Sequence, residues 1–252
     1  MKVTFKIIKK EERIFFNDGT QYVLLDSGFL DPRHVGRYSA AVNGMIGPFK
    51  VRTESKMFFE NFINLQMDET RSVTAVFNPM DGFNCTLCGD MLTITDEEMK
   101  LDEYEHFFPF VKPQMPFLPS WLLPDLPMIE GRINGKKRTM LFDSGARMTM
   151  VTDPQLLKGE KVRSYTEWMG MIREYAELPV FNVELQFGDD FKYSGESALV
   201  TQSTYTVQAQ HSNIFVVLGI DMFKLYDMAI VCKGSEKRDR TACPLISGRK
   251  NA

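Results

Sequence analysis

The chain opens with apolar and polar residues in alternation: Val3, Phe5 and Ile7 on one side, Thr4 and Lys6 on the other. A period of two predicts a half-buried strand. Residues 13–16, Arg-Ile-Phe-Phe, extend the pattern to Asn17-Asp18-Gly19, a strong hairpin signal, and 21–25 run back as a second strand. That strand feeds directly into Asp26-Ser27-Gly28. The order then repeats: a strand over 128–133, the turn Asn134-Gly135, a strand over 138–142, and Asp143-Ser144-Gly145. Strand-like runs follow in both halves, at 62–66 and at 181–186. Residues 86–91 read as the counterpart of 217–222, since both end in Asp-Met. A diverged internal duplication is predicted, with copies of about 100 residues each.

Helical periodicity is sparse. Residues 96–105 suit a short acidic helix and 221–226 a single turn, so the predicted class is all-β. Between the copies, Pro109, Pro113, Pro116, Pro119, Pro124 and Pro127 forbid a continuous helix or central strand. The predicted organisation is one lobe over 1–100, a semi-rigid linker over 101–126, a second lobe over 127–233 and a disordered basic tail over 234–252. The linker's Phe107, Phe108, Phe110, Phe117, Trp121 and Leu122 are too apolar to stay in water. Packing across the lobes is expected of them; a docking site for a partner is the alternative.

Composition narrows the class. Of 252 residues 44% are apolar, enough for a core, and a net charge of −3 gives no electrostatic reason for a nucleic-acid partner. No apolar run approaches the roughly 20 residues that span a bilayer, and the opening strand lacks a signal peptide's apolar centre. A cytoplasmic protein is expected, without membrane association. Cys85 and Cys88 are spaced like half of a zinc site, but Cys232 and Cys243 form no matching pair, and His34, His106 and His211 are scattered. Reduced thiols are expected, with no metal and no cofactor.

The chemistry centres on residues 138–151. The apolar run Met140-Leu141-Phe142 delivers Asp143 into Ser144-Gly145-Ala146, and a second alternation follows at once, which places the acid between two strands. Asp-Ser-Gly alone is an ordinary polar turn; the flanking strands make it distinctive. Asp143-Ser-Gly-Ala-Arg-Met-Thr149 resembles the catalytic segment of the retropepsin-like aspartic proteases, especially the DNA-damage-inducible ubiquitin-shuttle family. Phe215 to Phe223, with Leu218-Gly219-Ile220-Asp221-Met222, resembles the segment beneath their catalytic loop. The likeness covers 127–233 well and the first copy in outline.

The resemblance implies an acid-protease barrel, two-lobed here, and an endopeptidase acting on a polypeptide. Two carboxylates hold one water and share one proton, because like charges at that distance cannot both ionise. It implies Asp143 and Asp26 as that pair, with Ser144, Gly145, Ala146, Ser27, Gly28 and Gly219 supporting the loops. Asp221 is expected to serve structurally. It implies a flap over 164–177 with Trp168, Met169, Gly170 and Met171 near the tip, and a second over 40–48 containing Met45. One departure is Phe29, where the family has a small residue. Three readings follow: a monomeric pseudo-dimer pairing Asp26 with Asp143, a homodimer pairing two copies of Asp143 beside an N-terminal accessory domain, and an inactive scaffold that keeps the fold for protein binding or dimerisation.

Overall fold

The computed structural model describes residues 1–10, 13–27, 42–53, 73–79, 82–98, 106–111, 127–169, 174–201, 214–221, 228–231 and 243–246. Among them the chain is all-β, with no α-helix. No helix of the described residues is long and apolar enough to cross a membrane. The N-terminal half supplies β1 (Lys2–Lys10), β2 (Arg13–Asn17), β3 (Tyr22–Leu25), β4 (Val42–Ile46) and β5 (Phe49–Thr53). After these come β6 (Val73–Phe77), β7 (Asn84–Cys88), β8 (Met91–Thr95) and β9 (His106–Phe108). The C-terminal half supplies β10 (Met128–Ile133), β11 (Lys136–Phe142), β12 (Met150–Val151), β13 (Arg163–Met169) and β14 (Glu174–Phe187). It continues through β15 (Phe191–Leu199), β16 (Val216–Leu218), β17 (Met228–Ile230) and β18 (Cys243–Ile246).

Two sheets carry most of the structure. The second runs β10-β11-β16-β12-β15-β14-β13, and a further pairing of β10 with β14 closes six of these strands into a barrel. Closure removes the unpaired edges that an open sheet leaves. The β10–β11 hairpin turns on Asn134 and Gly135, both at positive φ (48° and 87°), as a tight two-residue turn requires. The first sheet runs β17-β7-β8-β1-β2-β3-β6. Its β1 behaves as its alternation predicts, with Phe5 and Ile7 buried and Lys2, Thr4 and Lys6 exposed. A single hydrophobic core joins the two sheets: Phe16, Leu25 and Phe77 from the first, Ile129, Phe142 and Leu218 from the second.

The C-terminal strands depart from the expected boundaries. β17 lies within 127–233, yet it pairs with β7 of the first sheet (Ala229 opposite Thr86), and all three of its residues are buried. An apolar strand finds both burial and backbone partners at that edge. Residues 243–246, expected in a disordered tail, form β18 against β9, within the expected linker. That linker is also tied to the second half where Val111 N–H donates to Met128 O at 2.8 Å. Its buried Phe108 packs on Phe187 and Phe191 with ring centroids 5.4 and 5.8 Å away. Phe117, Trp121 and Leu122, the run at 62–66, and most of both expected helical turns lie outside the described residues.

Candidate active site

Two strands end in the same way. β3 pairs in parallel with β6, and one residue past its end Asp26 N–H donates to Phe77 O at 3.1 Å. β11 pairs in parallel with β16, and one residue past its end Asp143 N–H donates to Leu218 O at 2.9 Å. The topological counterpart of 216–218 in the first half is therefore 75–77. Residues 86–91, read from sequence as that counterpart, instead form the β7–β8 hairpin around Gly89. The similar Gly and Asp-Met residues serve a turn in one place and a close approach in the other.

The residues after the two acids interlock. Ser27 N–H donates to Ser144 Oγ at 2.9 Å, and Ser144 N–H donates to Ser27 Oγ at 3.0 Å. Each hydroxyl in turn donates across the interface, Ser27 Oγ to Phe142 O at 3.1 Å and Ser144 Oγ to Leu25 O at 3.2 Å. Both serines are fully buried, so these four bonds satisfy polar groups that water does not reach. The reciprocal set brings the flanking acids together, close enough for the Asp26 carboxyl to influence the proton affinity of Asp143. Gly145 makes the approach possible. A Cβ at that position would stand 2.4 Å from Asp26 Oδ2.

Burial pushes the Asp143 carboxyl above the usual carboxylate range. Asp26, the N–H groups of Gly145 and Ala146, and the positive charge of Arg13 pull in the other direction without overcoming it. Gly145 N–H lies 2.8 Å from Asp143 Oδ1. The arrangement is a carboxyl pair that favours holding one proton, flanked by donors that favour one negative charge.

A second layer fixes the Asp143 loop from below. Gly219 passes so close that a Cβ would meet the Met148 carbonyl carbon at 2.4 Å. Asp221 Oδ1 accepts from Thr149 N–H at 2.8 Å and from Thr149 Oγ1 at 3.1 Å, and Ile220 N–H donates to Ala146 O at 2.8 Å. Asp221 thus serves the backbone of the loop.

The expected flap residues fare differently. Trp168 and Met169 lie at the end of β13, where the register with β14 sets Met169 opposite Glu174; Gly170, Met171 and Gly28 lie outside the described residues. Met45 lies exposed on β4, next to the turn of the β4–β5 hairpin. Gln21 Nε2 donates to Met45 O at 2.8 Å and Gly47 N–H donates to Asp18 Oδ2 at 3.1 Å, so this turn is pinned to the β2–β3 turn.

Four neighbours of the loop were given no role from the sequence: Arg13, Arg147, Tyr165 and Glu167. Arg13 donates to Gly145 O at 3.3 Å and to Glu167 Oε1 at 3.0 Å, while Arg147 Nε donates to Glu167 Oε2 at 3.1 Å. Tyr165 OH also donates to Glu167 Oε2. A signal did exist, because Arg13 opens an apolar strand and Glu167 follows Tyr165 at the period-two spacing of one face. No family model matches the chain, and no curated protein sequence matches it significantly.

Proposed function

We propose that the chain is a retropepsin-like aspartic endopeptidase whose acid pair, Asp26 and Asp143, is assembled within a single polypeptide. The observation that carries this reading is the reciprocal pair of Ser27–Ser144 hydrogen bonds, which brings the two Asp-Ser-Gly segments of one chain together and seats the Asp26 carboxyl against Gly145. In this chemistry the ionised member of the pair takes a proton from the attacking water, and the protonated member donates to the scissile carbonyl oxygen. The pair titrates as a unit, so the proton belongs to both residues. The Asp143-to-Thr149 segment and the Gly219 support add the family likeness already described. The paired carboxyls within one chain favour the pseudo-dimer over a homodimer of two Asp143 residues.

The test is peptide cleavage, with binding of a pepstatin-like inhibitor as a parallel measurement. Asp143→Asn and Asp26→Asn should each lower turnover by about 10²–10⁴-fold, and the double variant should be no worse than either single. Full activity in Asp26→Asn, with specific activity falling on dilution, favours the homodimer. Absence of both cleavage and inhibitor binding in the wild type favours the scaffold.

A further inference from the structure

The cluster beside the acid loop is unusual for its burial. Arg13 and Glu167 are 8% and 4% exposed, so a cation and an anion sit almost wholly out of water. Desolvation makes such a pair a poor source of stability, since apolar residues of similar shape generally do as well. Its placement is more informative. Arg13 begins the strand pair that leads to Asp26, and it also reaches the carbonyl of Gly145, two residues beyond Asp143. Glu167 lies on β13, two residues from Met169, where the hairpin leaves the described residues. Arg147, four residues beyond Asp143, donates to Glu167 and, at 2.7 Å, to Thr166 O. The cluster therefore ties together the first sheet, the acid loop and the hairpin arm.

Charge adds a second observation. Arg13 and Arg147 contribute two positive charges, Glu167 one negative charge, and an acid pair sharing one proton another. Asp221, held beneath the loop by Thr149, adds a further negative charge, so the region does not sum to zero; within it Arg13 and Glu167 are equal and opposite and offset each other. Nearby, Tyr165 stays neutral because burial and the Glu167 charge push its phenol up. Arg163 lies over the far side of that ring, 6.0 Å from its centroid, and pairs outward with Glu196 at 2.6 Å.

We propose, resting on the acid-pair reading above, that Arg13 and Glu167 are positioning residues. They fix β13 on the Asp143–Gly145 loop and offset each other's charge beside the acid pair. Removing either charge alone shifts the pair's titration, in opposite directions; removing both cancels, because the two charges are equal and opposite.

The test follows the carboxyl carbons of isotopically labelled aspartates by NMR across an acid-to-neutral titration, which needs no substrate. Relative to wild type, Arg13→Gln should raise the upper apparent titration of the Asp26–Asp143 pair by about 1 pH unit, and Glu167→Gln should lower it by a similar amount. The double variant should return to the wild-type position, and Arg13→Lys, which keeps the charge, should stay near it. Shifts of the same sign in both single variants, or none in folded protein, overturn the proposal. If the single variants fail to fold, the double variant and Arg13→Lys decide. A native-like double variant with wild-type titration supports the mutual offset, and its unfolding or a displaced titration overturns it. Pepstatin-like inhibitor binding is measured alongside. If no inhibitor binds and no peptide is cut, the protease reading fails while the titrations still decide the charge role.

Discussion

At Asp143 the same desolvation that suits proton sharing has a thermodynamic consequence. A carboxyl whose folded pKa is raised binds its proton more tightly when folded, so its contribution to stability is fully present below the unfolded value, near 3.8. It is lost as pH rises through the folded pKa. Asparagine resembles the protonated form and has no proton to lose. Asp143→Asn should therefore melt at a higher temperature than wild type at neutral pH, with the gap closing below about pH 3.8. Calorimetric melting of both proteins across that range checks it, and equal melting temperatures throughout would remove the desolvated proton from the description. The same residue is thus expected to be indispensable for turnover and unfavourable for neutral-pH stability, a trade found where function requires a buried ionisable group.

At the scale of elements, the two Asp-Ser-Gly strands are supported differently. Under Asp143 the approach of β16 depends on a missing side chain, and Gly219→Ala sets a methyl against backbone atoms that cannot rotate away. A loss of about 3 kcal/mol is expected in denaturant unfolding, the upper end for overpacking a tight contact. A loss below about 0.5 kcal/mol would mean that the two segments do not pass this closely. This support was legible in the sequence, as was the β10–β11 turn, because glycine and Asn-Gly mark backbone demands that few other residues meet. The first half was harder to read. Its equivalent support strand continues into Asn78-Pro79, with no glycine to mark it, while Gly89 in a plain hairpin drew the eye instead. The contacts of the 40–48 hairpin with Asp18 and Gln21 were not legible either, since a glycine-rich hairpin tip carries no sign of what it rests on. The Arg13–Glu167 contact joins residues 154 apart, and no local pattern announces a partner at that distance.

At the scale of the whole molecule, the chain does not divide cleanly at its middle. β17 returns to the first sheet, which is thus completed from beyond the expected boundary, and β18 pairs with β9 in a separate two-stranded sheet. An acid pair assembled within one polypeptide also fixes a stoichiometry. Isothermal titration with a pepstatin-like inhibitor should saturate at one molecule per chain, whereas a homodimer built on two Asp143 residues saturates at one per two chains. The single-chain arrangement has a consequence for variation as well. In a symmetric pair of identical chains every substitution appears twice, on both sides of the axis. Here Ser27 and Ser144 make matching bonds but are encoded separately, so either side of the cleft is free to change while the other stays fixed. The Arg13, Arg147 and Glu167 cluster rests on the Asp143 loop through Gly145 and Arg147. On the protease reading proposed above, an extended peptide substrate would meet two non-identical walls, and its amino-to-carboxyl direction would be defined by the protein rather than left to a symmetric choice.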